Sequence, residues 1–122
     1  IALGGEKHEL AGIFPVDFSL EKKPQAHGYT RLVLEGENPF YPVGTRISGH
    51  EFRYSRVVAW PEDPAGLVGR MERGVGFAEG RDGLLHKNVL ALYTHIHALG
   101  TPEWAPALVN RARAFRNAQA LP

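Results

Sequence analysis

Cysteine is absent from the 122 residues, so the chain itself holds no disulfide, no thiolate metal ligand and no thiol nucleophile. An excess of one charge is also absent, since 14 Lys and Arg residues stand against 13 Asp and Glu residues. Nucleic-acid binders usually show a basic bias, so we expect no nucleic-acid partner. The longest apolar run, Val89 to Tyr93, is far shorter than the roughly 20 residues that span a bilayer. We therefore expect no membrane segment and, without a secretory signal, a cytoplasmic protein.

Ordinary composition indicates a globular chain. Hydrophobic residues make up 43% of the sequence and charged residues 22%. A chain of this length buries roughly 65% of its unfolded surface, enough for one core. It begins with Ile1 rather than Met, so we expect it to be part of a longer protein. Composition leaves both a monomer and a homo-oligomer open.

Several extended stretches are predicted from the hydrophobic pattern. Alternating side chains indicate a strand over residues 28–35, and residues 43–57 and 68–77 also look extended. Residues 88–95 are continuously apolar, as in a strand that is buried on both faces. We expect the stretches around residues 30–34, 47–54 and 89–95 to share one sheet.

A helix is predicted at the C-terminal end. Trp104, Leu108 and Phe115 recur at helical spacing, and the helix is expected to start at Glu103 or Trp104. Thr101 precedes it as a candidate cap. We expect Trp104 and Phe115 to anchor the helix on the sheet, which makes the fold α/β.

The segment Tyr93-Thr94-His95-Ile96-His97 is the strongest local signal for chemistry. On a strand, alternation places Tyr93, His95 and His97 on one face. Open α/β sheets carry their chemistry at the carboxyl ends of strands, and an imidazole titrates near neutral pH. His95 is therefore a candidate general base. The alternative is a pair of histidines that leave a core strand and hydrogen-bond to the backbone.

A metal site is a second interpretation of these histidines. His95 and His97 on one strand face suit zinc, with His50, Glu51 or His86 as a third ligand, although no spacing fixes it. That would make the chain a small, non-enzymatic binding module. The sequence shows neither a phosphate-binding glycine loop nor a Gly-x-Ser-x-Gly elbow, so we expect no cofactor on this chain and favour no bound metal.

An aromatic and basic run extends from Gly49 to Arg56. Single-stranded nucleic-acid binders combine stacking aromatics with nearby cations. Alternation places Phe52 and Tyr54 on one face of the strand and Arg53 on the other. We favour the simpler interpretation, a half-buried strand with a solvated basic face.

Two motifs together resemble one family. Gly49-His50-Glu51-Phe52-Arg53-Tyr54-Ser55 resembles the Gly-His-Glu-Phe-His-Tyr-Ser signature of cobyrinic acid a,c-diamide synthases. Asp82-Gly83 and the run from Asn88 to His97 resemble that family's Asp-Gly…Asn-Val-Leu-Ala-Ser-Tyr-Leu-His-Leu-His segment. The run from Leu10 to Pro15 and the pair Gly28-Tyr29 fit the same family in order and spacing.

The resemblance implies a class I glutamine amidotransferase-like domain, a flavodoxin-like arrangement of sheet and helices. In that family a cysteine takes the amide of glutamine, and a separate half uses ATP and magnesium to activate carboxylates of the corrinoid cobyrinic acid. The family's catalytic histidine falls on His95. His97, His50 and Glu51 are candidate supporting residues.

Departures from the family pattern define the expected limits of the chain. The family's Cys-Gly-Gly elbow and its ATP-binding domain would both precede Ile1, so residues 1–122 are expected to be the C-terminal portion of the amidotransferase domain, inactive alone. Arg53 stands where the family has His. His97 stands where the wider superfamily often has Glu, which leaves the third triad member open. A rival is cobyric acid synthase, whose Tyr-Leu-His-Gly ending differs from the His at position 97.

Overall fold

The computed structural model describes residues 1–119. Its elements in chain order are β1 (Ala2–Leu3), β2 (Glu6–Lys7), β3 (Asp17–Leu20), β4 (Ala26–Leu34), β5 (Arg46–Arg53), β6 (Ser55–Ala59), a 3-10 turn (Pro64–Gly66), β7 (Gly69–Arg73), β8 (Arg81–Asp82), β9 (Leu84–His86), β10 (Val89–Ala91), β11 (His95–Ile96) and α1 (Trp104–Gln119). The strands form a five-stranded sheet, β11-β5-β4-β7-β8, a four-stranded sheet, β2-β1-β3-β6, and a β9-β10 hairpin. Mixed sheets with a C-terminal helix confirm the predicted α/β class.

The five-stranded sheet is antiparallel at each pairing and is built around β4 and β5. Along β4, Thr30, Leu32 and Leu34 are buried, whereas Tyr29 and Arg31 are exposed. The alternation predicted for this strand is thus confirmed. The inner face of the sheet forms the main core, where Leu32 and Leu34 of β4 and Ile47 of β5 are fully buried. The outer face of the sheet carries the odd-numbered residues of β4.

A second core joins the four-stranded sheet to the β9-β10 hairpin and to the loops before and after β7. Leu67, Phe77 and Leu84 are buried there, and the partly buried Phe18 of β3 and Tyr93 pack against them. The Phe77 and Tyr93 rings stack with centroids 5.8 Å apart. This cluster fixes the segment that immediately precedes β11.

Two of the predicted extended stretches are interrupted. Residues 43–57 contain β5 and β6, which lie in different sheets with Tyr54 between them. The chain changes partners here, because the Arg53 carbonyl accepts the Gln25 amide and the Tyr54 carbonyl accepts the Glu21 amide. In the stretch 68–77 only β7 is a strand, and the backbone turns at Gly74, whose φ is +102°.

The single apolar strand predicted over residues 88–95 is wrong. β10 pairs with β9 in the hairpin, and only β11 joins the main sheet, next to β5. Between them, the amides of Tyr93 and Thr94 bind the carboxylate of Asp82. A side chain thus occupies the backbone donors that a continuous strand would offer to its neighbour.

The helix begins at Trp104, as predicted, but its anchoring differs from the prediction. Trp104 is 38% exposed and Phe115 is 61% exposed, so these rings do not anchor α1. The buried residue of the helix is Ala107, which joins the main core with Tyr41. The Thr101 hydroxyl is not a helix cap either, because it donates to the Ser48 carbonyl at 3.0 Å and accepts the Ser48 amide at 3.1 Å. Within residues 1–119, no helix has the length and apolar character needed to cross a bilayer.

Candidate active site

His95 and His50 lie side by side across two antiparallel strands. His95 in β11 is the direct partner of His50 in β5. The His95 Nδ1 atom is 3.4 Å from His50 Nε2, and the rings meet edge to face with centroids 4.9 Å apart. Both side chains are exposed to solvent. The structure therefore brings together two candidates that are 45 positions apart in the sequence.

Gly49 allows β11 to approach β5 this closely. A Cβ atom at this position would overlap the carbonyl oxygen of His95 and would lie 2.8 Å from Cγ2 of Thr94. Cβ atoms do not reach such distances without a shift of the neighbouring backbone. The glycine of the Gly-His-Glu motif thus has a physical reason, which is the space that the His95 strand needs.

Asp82 holds the backbone that leads into His95. The side chain is fully buried, and its carboxylate accepts the amides of Gly83 at 2.9 Å, Tyr93 at 3.1 Å and Thr94 at 3.0 Å. Burial raises the pKa of the Asp82 carboxyl, against the effect of these three amides. In the sequence, Asp82-Gly83 stands out only as part of a motif. The role of its carboxylate was missed because the contacts join residues 11 and 12 positions apart, and no local pattern reports them.

Glu51 faces away from the two histidines. It is 2% exposed, and its Oε1 accepts the amides of Val75 at 3.2 Å and Gly76 at 2.9 Å. Its Oε2 accepts Nε of Arg53 at 3.3 Å. Because neighbouring residues of a strand alternate in direction, Glu51 lies on the inner face of β5 and His50 on the outer face. Glu51 anchors the loop at residues 75–76 and does not meet His95.

Arg53 is enclosed by polar and aromatic partners. Its Nη1 donates to the Ser55 carbonyl at 2.6 Å and its Nη2 to the Gly76 carbonyl at 2.8 Å. The side chain is only 9% exposed. The solvated basic face predicted at this position is therefore wrong, because the charge of Arg53 is paired with the buried carboxylate of Glu51.

The aromatic residues of the same run lie on the solvent side. Phe52 is 51% exposed and Tyr54 is 39% exposed, and their rings meet edge to face. The predicted alternation of Phe52 and Tyr54 against Arg53 is confirmed, with the aromatic side outward.

Tyr93 does not share the face of His95, contrary to the prediction. Its ring packs inward on Phe77 and Phe18, and its hydroxyl lies 3.3 Å from Oγ of Ser55. Burial raises the pKa of the Tyr93 hydroxyl. The backbone between Tyr93 and His95 is irregular, so the side-chain alternation of a regular strand does not apply to it.

His97 serves a local turn. Its Nδ1 accepts the amide of Leu99 at 3.2 Å, and its carbonyl accepts the amides of Gly100 and Thr101. No hydrogen bond joins His97 to His95 within the described residues. His86, the other metal-ligand candidate, lies in β9 with its ring against Phe14. Across residues 1–119, no three His, Asp or Glu side chains come together as a metal-binding group.

Comparison with known proteins gives one family. Residues 2–103 match the family described as the CobB/CobQ-like glutamine amidotransferase domain. The cobyrinate a,c-diamide synthase of Magnetococcus marinus is 40% identical over 104 residues, which cover 85% of this chain and 22% of that protein. The synthase of Methanosphaera stadtmanae is 35% identical over 95 residues, 78% of this chain and 21% of the relative.

A third relative extends the match further along the chain. The cobyrinate a,c-diamide synthase of Caldanaerobacter subterraneus is 28% identical over 113 residues, 93% of this chain and 24% of that protein. The chain thus spans less than a quarter of the length of these curated relatives, from 21% to 24%. No solved structure matches it significantly.

Proposed function

The chain belongs to the CobB/CobQ-like glutamine amidotransferase domain family, and on this basis we propose that it is the histidine-bearing, C-terminal portion of the glutaminase domain of a cobyrinate a,c-diamide synthase. The names of the curated relatives support the proposal. In this proposal the full-length enzyme takes nitrogen from glutamine and amidates carboxylates of a corrinoid. Residues 1–122 contribute to the first of these two reactions.

The observation that carries the proposal is the exposed imidazole of His95 on an edge strand. Asp82 holds the backbone of the preceding residue, Thr94. Within residues 1–119 the His95 ring hydrogen-bonds through Nδ1 and not through Nε2. In the tautomer that carries its proton on Nδ1, Nε2 accepts a proton. The sequence has no cysteine, so the nucleophilic thiol comes from outside these 122 residues. An imidazole beside a thiol takes its proton and produces the reactive thiolate.

The chemistry then follows in two steps. The thiolate attacks the amide carbon of glutamine, and the proton held by His95 passes to the leaving nitrogen, which departs as ammonia and leaves a thioester. Water then attacks the thioester, His95 accepts its proton, and glutamate and the thiol are released. The 122 residues alone are expected to hydrolyse no glutamine, because they hold no thiol.

Other parts of the reaction are assigned to the rest of the enzyme. ATP and magnesium act, in this proposal, outside residues 1–122, where they activate the corrinoid carboxylates for attack by ammonia. No described residue is assigned to either of them. We propose the cytoplasm as the compartment, in line with the absence of cysteine.

The test compares two nitrogen donors in the full-length enzyme. His95→Ala is expected to lower glutamine-dependent amidation on the order of a hundredfold or more, the usual contribution of a proton-transfer group. Amidation driven by high ammonium is expected to persist, because it requires neither thiol nor imidazole.

The matched control is His97→Ala. His97 is two residues away and is committed to the Leu99 turn, so its loss is expected to affect glutamine use much less. Near-normal glutamine-dependent turnover in His95→Ala would show that His95 is not the base. An equal loss of both reactions in His95→Ala would indicate a structural role.

A further inference from the structure

We propose that His50 is the positioning residue of His95, accepting the Nδ1 proton of His95 at its own Nε2. The inference rests on the proposed function and adds a residue to it. Its basis is the direct cross-strand pairing of the two residues and the 3.4 Å separation of Nδ1 and Nε2. In many catalytic triads a carboxylate has this orienting role. Here a second imidazole occupies the position beside Nδ1.

The orientation matters because a neutral imidazole carries one proton. One ring nitrogen is then a donor and the other an acceptor. An acceptor placed at Nδ1 of His95 holds the proton there and leaves the lone pair on Nε2, the atom that faces away from His50. When Nε2 takes the thiol proton, the S–H bond breaks and an N–H bond forms. The resulting imidazolium keeps its Nδ1–H directed at His50, which stabilises the charge.

The other two candidate partners are committed elsewhere. His97 uses its Nδ1 to accept the Leu99 amide, so that nitrogen cannot orient His95. Glu51 is buried on the opposite face of β5, where both of its oxygens are in use. Within residues 1–119, the ring of His50 is the side chain that hydrogen-bonds to His95.

The backbone holds His50 in register with His95. β5 is paired on both sides, with His50 opposite Tyr29 of β4 and opposite His95 of β11. Gly49, the preceding residue, lets the His95 strand approach closely. The two imidazoles are therefore positioned by strand pairing, which does not depend on a bound substrate.

Two variants of the full-length enzyme separate the acceptor of His50 from its ring. His50→Phe keeps an aromatic ring beside His95 but has no acceptor, whereas His50→Gln keeps an acceptor oxygen but has no ring. We expect His50→Phe to lower kcat for glutamine at least about tenfold with little change in KM, since the wrong tautomer impairs a triad. The ammonium-dependent rate should stay unchanged. His50→Gln should recover most of kcat.

Three kinetic results would overturn the proposal. The first is a wild-type kcat for glutamine in His50→Phe. The second is a loss of kcat in His50→Gln as large as that in His50→Phe. The third is a parallel loss of the ammonium-dependent rate in His50→Phe. The second result would show that the ring itself matters, and the third would show a structural role.

The tautomer of His95 can be read without any activity. Nitrogen-15 NMR of the histidine-labelled full-length protein distinguishes Nδ1–H from Nε2–H, with the His95 signal identified by its absence in His95→Ala. We expect Nδ1–H in the wild type and in His50→Gln, and a shift towards Nε2–H in His50→Phe. An Nε2–H tautomer in the wild type would overturn the role of His50. If the wild type showed no glutamine-dependent amidation, the proposed function would fall, and the NMR result would still decide the role of His50.

Discussion

The guanidinium carbon of Arg53 lies 3.9 Å from the centre of the Tyr93 ring. This contact connects the buried ion pair of β5 with the segment that leads into His95. A guanidinium offers several donors in a fixed plane and stacks on aromatic faces, whereas an imidazole has at most two donors. Arg53 uses its donors on Glu51, Ser55 and Gly76 together. A histidine at this position, as in the resembled signature, could not donate all three of these hydrogen bonds at once.

Removal of the buried Glu51 carboxylate should lower the stability of the folded chain. Glu51→Ala leaves the Arg53 guanidinium without its anion and the amides of Val75 and Gly76 without an acceptor. We expect it to lower the free energy of unfolding by about 3–5 kcal/mol. Glu51→Gln keeps an acceptor for the two amides and should cost less. Urea denaturation followed by tryptophan fluorescence measures both, and equal midpoints for wild type and Glu51→Ala would contradict the expectation.

Removal of the Asp82 carboxylate should destabilise the fold and loosen the segment that leads into His95. Asp82→Ala leaves the amides of Gly83, Tyr93 and Thr94 unpaired in the interior, and each unpaired group costs about 1–3 kcal/mol. Asp82→Asn retains one acceptor oxygen and should be milder. We expect amide hydrogen exchange at Tyr93 and Thr94 to accelerate strongly in Asp82→Ala. Unchanged protection at these two amides would show that the carboxylate does not hold this segment.

The stability contributed by Asp82 should also depend on pH with a defined sign. Burial raises its pKa in the folded chain above the ordinary value of 3.8. Between these two pKa values the folded chain binds more protons than the unfolded chain, so this group's contribution to stability falls as the pH rises through that window. The difference in unfolding free energy, wild type minus Asp82→Asn, should decrease over the same range. The other carboxylates are present in both proteins and largely cancel, so a difference that rises with pH would reverse our assignment.

Space at Gly49 should control the position of His95. Gly49→Ala places a methyl group against the His95 backbone and should displace β11 from β5, at a cost of about 1–3 kcal/mol. The NMR signature of the His50–His95 hydrogen bond should be lost with it. Gly66→Ala is the matched control, because nothing lies within 4 Å of the added atom. Similar effects of the two substitutions would mean that the close approach is unimportant.

Truncation of the exposed helix aromatics should have small effects. Trp104 is 38% exposed and Phe115 is 61% exposed, so we expect Phe115→Ala to change stability by about 0.5 kcal/mol or less and Trp104→Ala by somewhat more. Leu32→Ala, at a fully buried position, should cost about 2–5 kcal/mol. Thermal unfolding compares all three variants. A loss of stability in Trp104→Ala equal to that in Leu32→Ala would mean that the Trp104 side of α1 is buried.

Parts of the structure that depend on local patterns were predictable from the sequence. Alternation identified β4, the start of α1 was predicted at Glu103 or Trp104, and two motifs led to the family that the comparison confirms. Such patterns are readable because the direction of a side chain follows directly from the backbone conformation of its own segment. His95 and His50 could be named as candidates because they stand in the two motifs that resemble the family.

Only the tertiary structure decided which candidates meet. His97, two residues from His95, turns to a local amide, whereas His50 lies beside it from 45 positions away. The apolar run at 88–95 is divided because Asp82 takes the amides of Tyr93 and Thr94. Hydrophobicity indicates that a segment is buried, but strand register and the choice of hydrogen-bond partner follow from contacts between distant segments. The sequence by itself therefore determined the family and the candidate histidines, and strand pairing determined the arrangement of the site.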